Sequence, residues 1–392
     1  MKKLELHVNA GPRPRRYCPI TVEIPGRLAP QGPVALVEEE TNRAFAVQIE
    51  PGSRGKPTLV SMILNHIPAG EERIYRLVNI GSRSRPPQEP LSHPVIFTQK
   101  QTQIGVVIGG DQVTNYTFSR RAARPYMYPL IGPFGISLTR GFPMADIEGE
   151  TQDHPHHRSV WTGHGDVGSG DFWSEEEGHG RIQQTDLLKL QEGPIYGFFT
   201  VLNDWVDVGG SKILEEERTL VFYGQPQAVR MIDFDIKFRA TEGDVRFGDT
   251  KEGGILAIRV ASSMEVARGG RLQNAMRGVN ESEVWGKRAA WCDYSGVVDG
   301  SLVGIAIFDH PENFRWPTYW HARDYGLMAA NPFGFSDFFN ESPGNGSHLV
   351  RKGEEFRFRY RLFGHVGDTE TGGVGDAYQD WIHPPQVEAT VS

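Results

Sequence analysis

Apolar and polar residues alternate with a period of two through several stretches of the chain. Ile232, Phe234, Ile236 and Phe238 interleave with Asp233, Asp235, Lys237 and Arg239. Phe356, Phe358, Tyr360 and Leu362 interleave with Arg357, Arg359 and Arg361 in the same way. Successive side chains of a strand point to opposite faces, so each run presents one apolar face and one wet face. This is the pattern of antiparallel sandwich strands and a poor fit to an amphipathic helix. Shorter apolar runs at 20–24, 34–37, 45–49, 59–64 and 74–80 predict a compact set of strands near the N-terminus. The 46 glycines and 26 prolines are dispersed and punctuate these runs, as numerous turns require.

The segment 81–94 (GSRSRPPQEPLSHP) carries four prolines and almost nothing apolar. Proline lacks an amide donor and cannot sit inside a sheet, so a connection is expected here. The predicted organisation is all-β. A small β-sandwich domain occupies 1–85, a proline-rich linker 86–94, a large antiparallel β-sandwich 95–370, and a C-terminal tail 371–392. The candidate site falls in the large sandwich.

Composition narrows the class. A chain of 392 residues buries a substantial core without disulfide staples. Cys18 and Cys292 stand far apart and form no metal or redox spacing, so both read as buried apolar residues. The net charge of −8 is dispersed, which argues against a nucleic-acid groove with its clustered Lys and Arg. No apolar core follows the two N-terminal lysines, and no run reaches the length of a membrane span. A cytoplasmic protein without nucleic-acid or membrane partners is expected. Nothing in the pattern sets an oligomeric state.

The richest chemistry lies between Asp153 and Arg181. His154, His156, His157, His164 and His179 crowd this stretch with Arg158, Asp166, Asp171 and Trp173, among frequent glycines that predict loop. Histidine titrates near neutrality and is the commonest metal ligand. Three readings fit. In an acid–base site, histidines carry protons, Arg158 stabilises developing negative charge and Asp166 or Asp171 orients an imidazole. In a metal site, a divalent ion is held by His154, His156 and His164, although the spacing is not the helical pattern of zinc proteases. In a structural loop, the same side chains satisfy buried backbone groups.

A second stretch joins Trp316, Trp320, His321, Arg323 and Tyr325, followed by Asn331. Aromatic rings beside charged groups suit a sugar, whose apolar C–H faces pack on rings while its hydroxyls take hydrogen bonds. Either tryptophan alone reads equally as core. Lys251 and Glu252 sit at a glycine-rich turn, ordinarily a solvated one. Tyr128, from a run rich in tyrosine and proline, joins the candidate sugar-binding residues, or simply caps a sheet.

Four segments together resemble the PmoA-like family of bacterial proteins across roughly 120–365: PYMYPLIGPFG with TRGFPM, EGETQDHPHHRSVWTGHGDVGSGDFW, GDTKEGG, and FDHPENFRWPTYWHARDYGLMAANPFG. Ser159 stands where that pattern leads one to expect glycine. The absence of any span sets the chain apart from the membrane enzyme that the family's methane-oxygenase label evokes. The resemblance implies an aldose-epimerase-like supersandwich and, as substrates, oxidised glycosides.

The leading expectation is a lyase or hydrolase acting on a small sugar or glycoside. His157 and His321 would carry protons, Arg158 would face the developing oxyanion, and Asp166, Lys251 and Glu252 would support them. Both histidines are expected to line a surface, so alanine at either should leave the fold nearly intact. The alternatives are a His-ligated metal enzyme and a non-catalytic glycan-binding protein.

Overall fold

The computed structural model describes all residues except 1–3, 26–27, 29–31, 53–55, 81–92, 169, 341, 343 and 392. Most of the linker expected at 86–94 therefore lies outside the described residues. Every pairing between named strands is antiparallel, and the α-helices among the described residues are the short Asn280–Val284, Phe335–Phe339 and Val374–Ile382.

Two eight-stranded sheets pack face to face. One runs in the order Trp320–Arg323, Leu327–Ala330, Gly253–Arg259, Val160–His164, Tyr126–Met127, Asp111–Thr117, Gln103–Ile108, Val95–Lys100. The other has Arg181–Gln191 and Arg271–Asn274 at its edges, with the two period-two runs at its centre. Phe234 lies opposite Tyr360 and Ile236 opposite Phe358. Their inward rings and branched chains join one continuous core with the first sheet. On the outward face Arg361 clasps Asp233 at 2.6 and 2.8 Å, and Arg357 clasps Asp235. Burial of each large apolar side chain is worth about 1.5–3 kcal/mol. Partly exposed ion pairs add about 1 kcal/mol or less each, so the apolar face decides the pairing.

The N-terminal strands form a smaller sandwich of a five-stranded and a three-stranded sheet. The residues expected as a tail complete it. Gln386–Val391 pairs with Leu4–Asn9, placing Ala389 opposite Leu6. Val387, Ala389 and Val391 alternate with polar residues, which gives this short strand an apolar side to lay on the small core. Before it, the helix Val374–Ile382 buries Val374, Ala377 and Tyr378 against the outer face of the second large sheet.

Candidate functional site

The candidate site is built on the outer face of the first large sheet. Strand alternation sends Val160, Ile258, Met328, Trp320 and Ala322 into the core between the sheets. Trp161, Ala257, Leu327 and Ala329 face the other way, and they gather Trp173, Tyr126 and Tyr325 around them. Gly254 leaves room for this layer, since a Cβ there would sit 2.8 Å from the Ala329 Cβ and 3.3 Å from the Trp173 ring.

The histidine loop folds over these rings. His157 stacks on Trp161 at 5.2 Å between centroids and on His154 at 4.8 Å, and His154 stacks in turn on Tyr325 at 4.7 Å. His156 meets His157 edge-on at 4.4 Å. Trp173 bridges His157, at 5.8 Å, to His321, at 6.2 Å.

Four arginines hold the loop. Arg124 donates to the carbonyls of His156 at 3.0 Å, Trp173 at 2.5 Å and Ser174 at 3.0 Å. Arg140 donates to the carbonyls of Thr151, at 2.9 Å, and Asp153, at 2.8 Å, and pairs with the Asp153 carboxylate. Arg259 reaches Asp153 Oδ1 at 2.7 Å and His157 Nδ1 at 3.2 Å, with its guanidinium 4.8 Å from the Tyr325 ring centre. Arg158 forms a bidentate pair with Glu175 at 2.7 and 2.5 Å. The second oxygen of Asp153 lies 3.0 Å from His154 Nδ1.

These contacts set the charges. Burial opposes ionisation of Asp153, but the His154 hydrogen bond and the charges of Arg259 and Arg140 outweigh it and hold the carboxyl far below its usual range. Burial, then the like charges of His156 and Arg259, push His157 well below the usual imidazole range. Burial and Arg124 push His156 down to about 4; burial and Arg323 push His321 down to about 3. These imidazoles are neutral at pH 7. His157 and His321 are also almost inaccessible, at 1% and 2% exposure. His154 differs, with 39% of its side chain in solvent.

Three of the sequence segments thus meet on one face. Lys251 lies near enough to His321 to bias its protonation. Glu252 acts in the same way on Arg323 and Tyr325, and the Arg323 guanidinium lies 5.3 Å from the Tyr325 ring centre. Tyr128 is half-buried at the edge, beside Tyr126 and Glu150.

Other expected residues are placed elsewhere. Trp320 is fully buried between the sheets with its indole N–H on the Ala289 carbonyl, because neighbours in a strand face opposite ways. Trp316 is exposed near Tyr378, on the side of the C-terminal helix. His164 lies between Phe247 and Phe333, bonded to the Gly248 carbonyl at 2.8 Å, and burial pushes it down to about 4. Asp166 pairs with Arg246 and orients no imidazole. Asn331 is buried and donates to the Thr250 and Lys251 carbonyls at 2.9 and 3.0 Å, fixing the turn. Arg158 is committed to Glu175. Among the described residues no three His, Cys, Asp or Glu side chains gather as a metal site, and His164 is separated from His154 and His156 by the sheet.

Arg124, Arg259 and Glu175 are central here yet carry no local signal. Their partners lie across the loop or, for Arg259 and Asp153, 106 residues away.

The chain belongs to a family of unknown function, DUF6807, which matches residues 103–379. That match corrects the resemblance to the PmoA-like family: the segments behind it lie within the matched span, and the family found there is DUF6807. No curated protein matches the chain. Among solved structures the chain is similar to an alpha-mannosidase from Enterococcus faecalis V583, with 9% identity and a TM-score of 0.43 over 100% of this chain and 46% of that one. It thus spans less than half the length of that protein. It is also similar to a galactose mutarotase related enzyme from Lactobacillus acidophilus, with 8% identity and a TM-score of 0.30 over 70% of this chain and 98% of that one. At these scores neither likeness carries an argument. Among the described residues, no helix is long and apolar enough to cross a membrane.

Proposed function

We propose that this member of the DUF6807 family is a carbohydrate-active enzyme that eliminates the aglycone from an oxidised glycoside, with His154 as the proton carrier. The observation that carries this reading is the chain Arg140 and Arg259 to Asp153 to His154. Two arginines buried at 0% side-chain exposure keep Asp153 ionised, and Asp153 orients the accessible imidazole of the loop. With Nδ1 3.0 Å from the Asp153 carboxylate, His154 would take the proton on Nε2.

The chemistry follows from that arrangement. His154 takes the proton from the carbon next to the sugar ketone, and the C–H electron pair becomes an enolate. Arg323, which also pairs with Glu281 at 2.8 Å, supplies the cation that favours the enolate. The enolate re-forms the ketone as a C=C bond, the β C–O bond breaks, and the leaving oxygen recovers the proton from the imidazolium. No oxidant is consumed. The ring of Tyr126 at the rim offers a face for the sugar, and Glu252 offers an acceptor for its hydroxyls.

A glycan-binding protein is the second reading, and the burial of His157 and His321 favours it. The two separate on one assay. The purified chain is incubated with a glucoside carrying a ring ketone, and product is followed by NMR. Release of the alcohol with an unsaturated sugar, lost in His154→Ala, supports the enzyme. Tight binding without product supports the binding protein and refutes the enzyme.

A further inference from the structure

On the opposite side of the sandwich, between the second large sheet, the C-terminal helix and the small N-terminal sandwich, lies a cavity of about 640 Å³. We propose that this cavity is a second binding site, made for a neutral saccharide of hexose size. The volume falls within the range of about 300–1,000 Å³ typical of small-molecule sites.

Two features argue that the cavity is built rather than left over. Tyr17 has φ 52°, a left-handed conformation that is strained for a non-glycine residue. It sits where pairing skips from Arg16↔His66 to Cys18↔Leu64. Its ring packs on the apolar patch of the second sheet, and Gln225 Nε2 donates to its carbonyl at 2.8 Å. Backbone strain that is held in place in this way gathers at ligand sites.

His365 forms part of the wall. Its Nε2 lies 2.9 Å from Asp293 Oδ1, and Thr369 Oγ1 donates to Asp293 Oδ2 at 2.7 Å. The ring fits only because both neighbours lack side chains: a Cβ on Gly304 would lie 2.4 Å from His365 Cε1, and one on Gly372 would lie 2.2 Å from Nδ1. An imidazole so oriented and so tightly enclosed is a fixed part of the wall.

The lining chemistry selects the ligand class. Phe363 and Val229 give an apolar floor, while the exposed Glu370, Asp376 and Arg16 line the cavity with charges of both signs. Two carboxylates beside one exposed guanidinium disfavour an anion. A charged rim of both signs disfavours a purely apolar guest. A sugar ring satisfies both parts, with its C–H face on Tyr17 and hydroxyls on the carboxylates.

Isothermal titration calorimetry of the full chain with D-glucose, D-galactose, D-mannose and their methyl glycosides tests this. At least one should bind saturably, and Tyr17→Gly, which suits the positive φ, and Asp376→Asn, on the exposed helix, should each weaken it tenfold or more. His154→Ala should leave that binding unchanged, which separates this site from the histidine face. Absence of saturable binding, or binding indifferent to both cavity variants, overturns the inference. Binding lost in His154→Ala but kept in Tyr17→Gly also overturns it, while leaving the proposed function standing.

Discussion

His154 Nδ1 stands 3.0 Å from Asp153 Oδ2, and the other oxygen of that carboxylate is held by two buried arginines. One residue therefore both neutralises the cations under the loop and aims an imidazole out of it. His154 keeps this position with φ 43°, off the usual backbone regions. The loop is shaped around the pair.

Asp153→Asn should destabilise the protein by about 2 kcal/mol, because it leaves Arg140 and Arg259 buried without their shared anion; the partial exposure of Asp153 keeps the figure below that of a fully buried pair. Urea denaturation gives the number. The folded-state shift of Asp153 is downward, so its contribution is complete above the ordinary value of 3.8 and is lost as pH falls below it. In Asp153→Asn the acid-side loss of stability should be shallower than in the parent. Parent-like stability and acid response in the variant would show that the carboxylate does not matter to the loop.

The neutral histidines predict a second pH effect. His156, His164 and His321 are displaced downward from 6.5, to about 4, 4 and 3. Between those values and 6.5 the unfolded chain binds more protons than the folded one, so stability falls as pH drops from 6.5 towards 4. Each group contributes a slope of about 1.4 kcal/mol per pH unit in that window. Imidazole NMR signals that stay unprotonated at pH 5.5 are expected for all three. A signal titrating near 6.5 from any of them would contradict the burial argument for that residue.

Much of the sandwich can be read from the sequence because its central strands repeat at period two, and a strand has no other way to bury Phe234, Phe358 and their neighbours. The same parity rule could have sorted the aromatic stretch, where Trp320 and Ala322 face the core and His321 and Arg323 the site. Adjacency in sequence masked this. The C-terminal strand was harder to see, since Val387, Ala389 and Val391 cover only the edge of a small sheet. Arg259 stands within a run of apolar residues, between Ile258 and Val260, and reads as part of a core strand. Its role appears only when Asp153 is brought to it. Long-range pairs of this kind leave no local pattern.

Ser159 has φ 58°, the left-handed region that favours glycine, at the one position where the motif led to an expectation of glycine. Its hydroxyl lies 2.8 Å from Thr139 Oγ1 inside the protein. Removing the side chain relieves about 1 kcal/mol of strain and loses a hydrogen bond of about the same worth. Ser159→Gly should therefore leave the melting temperature nearly unchanged, whereas Ser159→Ala keeps the strain, loses the bond and should cost about 1 kcal/mol. Equal stability of the two variants would refute this division.

Alanine at each of three histidines separates support from chemistry. The sequence led us to expect that His157 and His321 line a surface and tolerate alanine, but burial reverses that. His157→Ala would open a void among His154, Trp161 and Trp173, and His321→Ala one beside Trp173. Voids of this kind in an interior cost about 2–4 kcal/mol, because rigid rings collapse poorly into them. His154 is partly solvated, so His154→Ala should cost about 1 kcal/mol. Its loss as proton carrier should lower turnover of an oxidised glycoside by about 10²–10⁴. Thermal melts and rates on the same three proteins give the comparison. The expected pattern is two variants with clearly lowered melting temperature and one near-normal melt with little turnover. A fully active His154→Ala would remove it from the chemistry. Unchanged melts for His157→Ala and His321→Ala would mean that the ring stack does not support the loop.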